Sequence, residues 1–130
     1  MTPEELADRL DAAAERTGPA VHRAVQQAGT TGRDLIRANA SGRPGPNVIT
    51  GQYRASWQAS TRGIPDGAIC TIGTRAPQGR RLEFGFWDMT DSIGRHYFQP
   101  PFPHVQPALP AIGAELRAQV QHAVEEVLGD

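Results

Sequence analysis

The sequence contains no lysine, and Cys70 is its only cysteine. A single thiol excludes an intrachain disulfide and any metal site built from several cysteines. The chain lacks a basic start followed by an apolar run, so no secretory leader is expected. No apolar stretch approaches the roughly 18 residues that a membrane-spanning helix needs. The expectation is folding in a cytoplasm with no membrane partner. Segment 42–51 is glycine-rich but has no Gly-Lys-Ser/Thr ending, and it follows a helix where a phosphate loop should follow a strand. No Gly-x-Ser-x-Gly elbow is present to anchor a serine hydrolase. His22, His96, His104 and His122 include no pair at the three- or four-residue spacing that places two ligands on one helix face. No catalytic residue, metal ligand, cofactor or small-molecule substrate is therefore expected, and the protein reads as non-enzymatic.

What is present is equally directive. The 130 residues fit one domain, 1–130, and only 38% of them are hydrophobic, which is low for a globular chain. Gly and Pro number 14 and 11, so a small core with long connections is expected. The formal charge is −1, which argues against a general nucleic-acid binder. Its distribution is uneven: residues 1–32 carry five acids and three Arg (net −2), residues 33–95 nine Arg and five acids (net +4), and residues 96–130 four acids and one Arg (net −3). A basic middle between acidic ends suits contact between neighbouring copies, although ordinary surface scatter would give the same tally. All thirteen basic residues are Arg, the residue of planar bidentate contacts, and a GC-rich genome would produce the same bias.

Thr2-Pro3-Glu4-Glu5 has the form of a capped helix start, with Pro at the first helical position and Glu5 completing a capping box. Leu6, Leu10 and Ala13 then share a face. Thr17-Gly18-Pro19 interrupts the pattern, because the residue before proline avoids helical dihedrals. The apolar phase resumes from Val21 to Ile36. This predicts a helix, or a kinked helix pair, forming an arm over 1–39. Ala55, Trp57 and Ala59 alternate with Ser56, Gln58 and Ser60 as in a half-buried strand. Ile64-Pro65-Asp66-Gly67 supplies a turn, and 68–74 a second strand. These make a hairpin within a β-rich region, 50–99. Phe84, Phe86 and Trp87 crowd a short span, 88–94 reads as a loop, and His96-Tyr97-Phe98 reads as a third strand. Pro100, Pro101 and Pro103 hold the chain extended around Phe102. A final helix over 107–128 places Leu109, Ile112, Leu116, Val120, Val124 and Val127 on one face. The predicted class is α+β: the N-terminal helical arm, a small antiparallel sheet built on the hairpin, and the C-terminal helix packed on the sheet.

Glu83, Asp88 and Asp91 fall within nine residues. Paired carboxylates can hold a divalent cation or perform acid–base chemistry, but no calcium-loop pattern surrounds them. One structural carboxylate with two loop acids is the simpler reading. Arg80-Arg81 beside aromatic residues offers charge and stacking to a nucleic acid, and core packing explains the same aromatics.

Leu82-Glu83-Phe84-Gly85, then Pro101-Phe102, then Pro107-Ala108-Leu109 opening a terminal helix, resembles the head–tail joining or tail-completion proteins of long-tailed bacteriophages. Thr50-Gly51-Gln52-Tyr53-Arg54-Ala55-Ser56 is similar to that family's Gly-x-Leu/Tyr-Arg-x-Ser block before its first strand. The order of elements matches over 1–128. The Arg80-Arg81 pair departs from the apolar residues usual before Glu-x-Gly, and 86–98 looks individual to this protein. The resemblance implies a virion protein of the neck, assembled in the host cytoplasm as a ring of six copies. Its neighbours would be the head stopper or connector, the tail terminator and the tail tube, around a channel close to DNA. A tail terminator ring and a DNA-binding accessory protein are the competing functions. The candidate interface or shape-determining residues are Tyr53, Arg54, Trp57, Arg80, Arg81, Glu83, Phe84, Gly85, Pro101, Phe102, Pro107 and Leu109. Among them, Glu83 is expected to pair with an Arg such as Arg54, Arg80 or Arg81, in its own or a neighbouring subunit, and Phe102 to anchor in an apolar pocket.

Overall fold

The Thr2 hydroxyl accepts the N–H of Glu5 at 3.1 Å, and the Glu5 carboxylate accepts the N–H of Thr2 at 3.1 Å. This capping box satisfies two of the donors that every helix start leaves open. It launches α1, Pro3–Asn39, a 37-residue helix that extends about 55 Å at 1.5 Å per residue. The computed structural model describes residues 1–65 and 67–129, with the backbone alone at 87, 88, 89 and 97. Asp66 of the expected turn, and the side chains of Trp87 and Asp88, lie outside the described residues.

The helix runs through Pro19 without a break, which settles the choice between one helix and a pair. A proline inside a helix removes one hydrogen bond and costs about 3 kcal/mol. Packing on both sides of it supplies the compensation. Ala13, Ala20 and Ala24 are buried together with Ala123 and Val127 of the last helix. The Arg16 guanidinium donates to the Val127 carbonyl at 3.0 Å across the same seam.

After a turn-rich segment come a short helix α2 (Gln52–Ala55) and the strands β1 (Gln58–Ile64) and β2 (Gly67–Gly73). The strands pair antiparallel from Gln58↔Gly73 to Ile64↔Gly67, forming the expected hairpin. The strand starts later than the alternation suggested, because 52–55 closes a helical turn: the Ala55 N–H reaches the Gly51 carbonyl at 3.0 Å. The hairpin lies against α1 at two glycines. A Cβ on Gly29 would stand 2.1 Å from the Cys70 Sγ, and one on Gly32 2.9 Å from the Ile72 Cδ1. Glycine at these positions is what lets sheet and helix approach so closely.

Helix α3 (Gly79–Phe84) follows, then β3 (Phe86–Thr90) and β4 (His96–Gln99), a second antiparallel pair with a register irregularity between Phe86 and Met89. Part of the expected 88–94 loop is thus strand, and the turn proper is tightened by Asp91, whose carboxylate accepts the N–H groups of Ile93 and Arg95. A 3-10 turn, Gln106–Ala108, leads into α4, Leu109–Gly129.

Helix α4 runs back along α1 and meets the sheet at Ile112, which shares a core cluster with Ile36, Trp57, Ala108 and Ile72. Its buried face is narrower than the sequence pattern indicated. Ala123 and Val127 are buried, whereas Leu109, Leu116 and Val124 are 54%, 40% and 37% exposed. The reason is the partner: α1 presents alanine there, so the helices touch along their small residues and the larger apolar side chains are left at the edge.

A buried polar latch as the candidate functional site

Helix α3 is six residues long, and its fifth residue, Glu83, points inward with 7% of its surface exposed. An isolated carboxylate in such a place would be unstable. This one is met by three backbone N–H donors in a row: His104 at 2.8 Å, Val105 at 3.0 Å and Gln106 at 2.9 Å. Burial pushes the Glu83 carboxyl up, but the N–H groups of His104, Gln106 and Val105 together outweigh it and hold the group below the usual carboxylate range. The expected arginine partner is replaced by main chain. Glu83 in effect caps the turn that opens α4, from 21 residues upstream.

His104 completes the arrangement and is fully buried. Its Nδ1 faces two acceptors, the Phe102 carbonyl at 2.9 Å and the Glu83 Oε2 at 3.0 Å. That nitrogen is therefore assigned the hydrogen, and Nε2 is assigned the hydrogen bond from the Tyr53 hydroxyl at 2.5 Å. Burial raises the Tyr53 phenol above its ordinary value, which keeps it a donor. The His104 carbonyl accepts from the Asn39 side chain at 3.2 Å, at the end of α1. The rings of Tyr53, Trp57 and His104 stand edge to face, with centroids 5.5 to 6.3 Å apart. Arg37 of α1 donates to the carbonyls of Ala55 and Trp57 at 3.2 and 2.6 Å. Four segments distant in sequence are thus tied at one point.

Gly85 makes the return possible. Its φ is +71°, and a Cβ there would lie 2.6 Å from the Gln99 carbonyl oxygen and 2.8 Å from the Pro101 nitrogen. Next to it the Phe102 N–H donates to the Leu82 carbonyl at 2.7 Å.

A carboxylate, an imidazole and a phenol in a line could pass a proton in an open cleft. Here the imidazole is fully buried, and its partners tie separate segments of the chain together. Among the described residues no group of His, Cys, Asp and Glu could hold a metal ion, and no helix is long and apolar enough to cross a membrane.

The sequence-derived residues divide in two. Tyr53, Trp57, Glu83 and Gly85 belong to the latch or its bend. Phe102 lies beside it, half-buried under the Arg43 guanidinium, which stands 3.7 Å above its ring. Arg54, Arg80, Arg81, Phe84, Pro101, Pro107 and Leu109 are exposed, and Phe84 is 61% so. His104 was missed. Its one sequence signal is its position after Pro-Phe-Pro, where the chain is stiff enough to hold a ring in a fixed direction.

The fold and its latch define a class: a small α+β protein whose buried polar centre fixes architecture. Residues 4–85 match the family model described as "Bacteriophage HK97-gp10, putative tail-component". The match covers more than half of the chain, and the chain belongs to this HK97 gp10-like family of phage tail components. No curated protein and no solved structure matches it significantly. Family membership makes it a structural protein of a tailed phage, with a place in the virion and other tail or neck proteins as its partners. The matched region ends at Gly85, where the chain turns into β3.

Proposed function

We propose that the protein is a ring subunit of the head–tail neck, which completes the tail and joins it to the head connector. It works as one domain, by association and without turnover or cofactor. Six copies would surround the channel, between the head stopper or connector on one side and the tail terminator and tail tube on the other.

The observation that carries this reading, beside the family, is the character of the exposed apolar residues. Leu6, Leu10 and Leu128 at one end of α1, and Ile49 and Phe84 toward the other, are between 48% and 93% exposed. Apolar exposure at two separated places marks a protein that meets partners on both. Of the sequence-derived residues, Arg54, Arg80, Arg81, Phe84, Pro101, Pro107 and Leu109 would face neighbours, and Tyr53, Trp57, Glu83, Gly85 and Phe102 would set the shape they present.

Electron micrographs of phage made without this chain should show full heads and finished tails that are not joined. Tails of unregulated length would assign the terminator role instead. Normal infectious particles lacking the protein would end the neck reading.

A further inference from the structure

Four arginines gather on one side of the molecule, around α2 and α3. Arg43 and Arg54 border a single depression together with Gln78 and Leu82, at and in α3. Gly79 packs toward Tyr53 of α2 and toward Thr74. A Cβ on it would stand 3.2 Å from the Thr74 Cγ2 and 3.7 Å from the Tyr53 hydroxyl oxygen. Gly79 and Glu83, one helical turn apart, thus face the body, and Arg80 lies on the outer side of α3. Arg75 directly follows Thr74. All four arginines are exposed.

Nothing of opposite sign balances them. Arg33 and Arg95 are paired with Asp34 and Asp91, at 3.1 and 2.7 Å. Arg43, Arg54, Arg75 and Arg80 make no ion pair among the described residues. Residues 40–86 contain six Arg and two acids. Of those acids, Glu83 is buried, with both carboxylate oxygens taken by main-chain N–H groups. Asp66 precedes β2, and Arg75 comes after the other end of that strand. The formal charge of −1 conceals this face, because nine of the fourteen acids, five and four, fall in 1–32 and 96–130.

We propose that this face binds the phosphate backbone of double-stranded DNA, without regard to base sequence. A duplex presents one negative charge about every 1.7 Å and nothing positive, which suits a face of one sign. The guanidinium fork meets a phosphate with two hydrogen bonds. The acids of a second copy are the competing partner. Exposed protein ion pairs contribute only about 0–1 kcal/mol each, whereas every phosphate contact also releases condensed counterions. The same four arginines therefore gain more from DNA. Arg54 and Arg80 then count nucleic acid among the neighbours they face. The inference goes beyond the neck reading and stands without it, since a subunit elsewhere in the tail would carry the same face.

Fluorescence anisotropy of a labelled duplex, titrated with the full-length protein between about 50 and 200 mM salt, tests it. Four phosphate contacts predict that log K falls with log salt at a slope of about −3.6 per bound copy, and that duplexes of unrelated sequence bind alike. Arg75→Gln with Arg80→Gln should reduce the slope by about 2 and weaken binding roughly tenfold or more at the lower salt. Arg9→Gln, near the start of α1, should change neither. Circular dichroism melts check that both variants keep their fold. No binding at the lower salt, or a double variant that binds like wild type, would overturn the proposal. Salt-sensitive self-association in place of DNA binding would overturn it too, and would give the arginines to the acids of a second copy.

Discussion

The two ends of α1 are held in different ways. Around Ala13, Ala20 and Ala24 the helix meets α4 through alanine and two valines, Val120 and Val127, a seam that other small residues could build. Around Ile36 and Asn39 it meets Trp57, Ile72 and Ile112, and beside them a carboxylate, an imidazole and a phenol joined in one hydrogen-bonded cluster. Alanine burial removes little apolar surface from water and is tolerant of register. The polar cluster is intolerant, because each group left unmatched would cost free energy. The alanine seam gives α1 a companion; the polar end decides how the whole chain is arranged.

Removing the carboxylate should break this contrast most sharply. Glu83→Ala leaves three backbone N–H groups, the one of His104 buried, without their acceptor and should cost about 3–5 kcal/mol in urea unfolding. Next comes the close helix–sheet contact. Gly29→Ala should destabilise by about 1–3 kcal/mol through overpacking, although alanine is otherwise the better helix former. Adding Cys70→Ala removes the clashing sulfur and should restore most of that loss; no recovery would show that the strain lies elsewhere. In the alanine seam, Val127→Ala deletes two methyl equivalents and should cost only about 1.5 kcal/mol at roughly 0.8 kcal/mol per carbon. A loss there equal to that of Glu83→Ala would erase the distinction between the two ends. Tyr53→Phe removes one hydrogen bond to His104 and should cost about 1 kcal/mol.

The smallest effect is expected from acid. Glu83 titrates below its ordinary value of 4.5 in the folded protein, while the unfolded chain keeps the ordinary value. The stability it contributes is complete above that ordinary value and is lost as pH falls from there through the lowered folded value. Glu83→Gln should flatten that limb of the stability–pH curve, and an unchanged limb would assign it to other carboxylates.

The sequence announced what depends on neighbours along the chain. The capping box at Thr2 and Glu5, the hairpin around Pro65 and the helix opening at Leu109 all rest on local rules, and all are present. Pro19 left one helix and a kinked pair both open, because its local penalty is weighed against packing of Ala20 and Ala24 on the last helix, far along the chain. The strand at 55 began late because one helical turn at 52–55 absorbed the alternation. Glu83 was legible as a structural carboxylate but its partner was not, since backbone N–H groups have no letter in a sequence. His104 stayed hidden because its meaning lies in Tyr53 and Glu83, 51 and 21 residues away.

The latch also divides the chain into what must be kept and what can be exchanged. Leu82, Glu83 and Gly85 grip 99–106 from the other side, so the β3–β4 hairpin leaves and re-enters the body at a single clamp. An insertion in that hairpin has only loop closure to contend with, about 0.6 kcal/mol for each doubling of length. A longer or shorter hairpin would therefore leave the clamp unchanged.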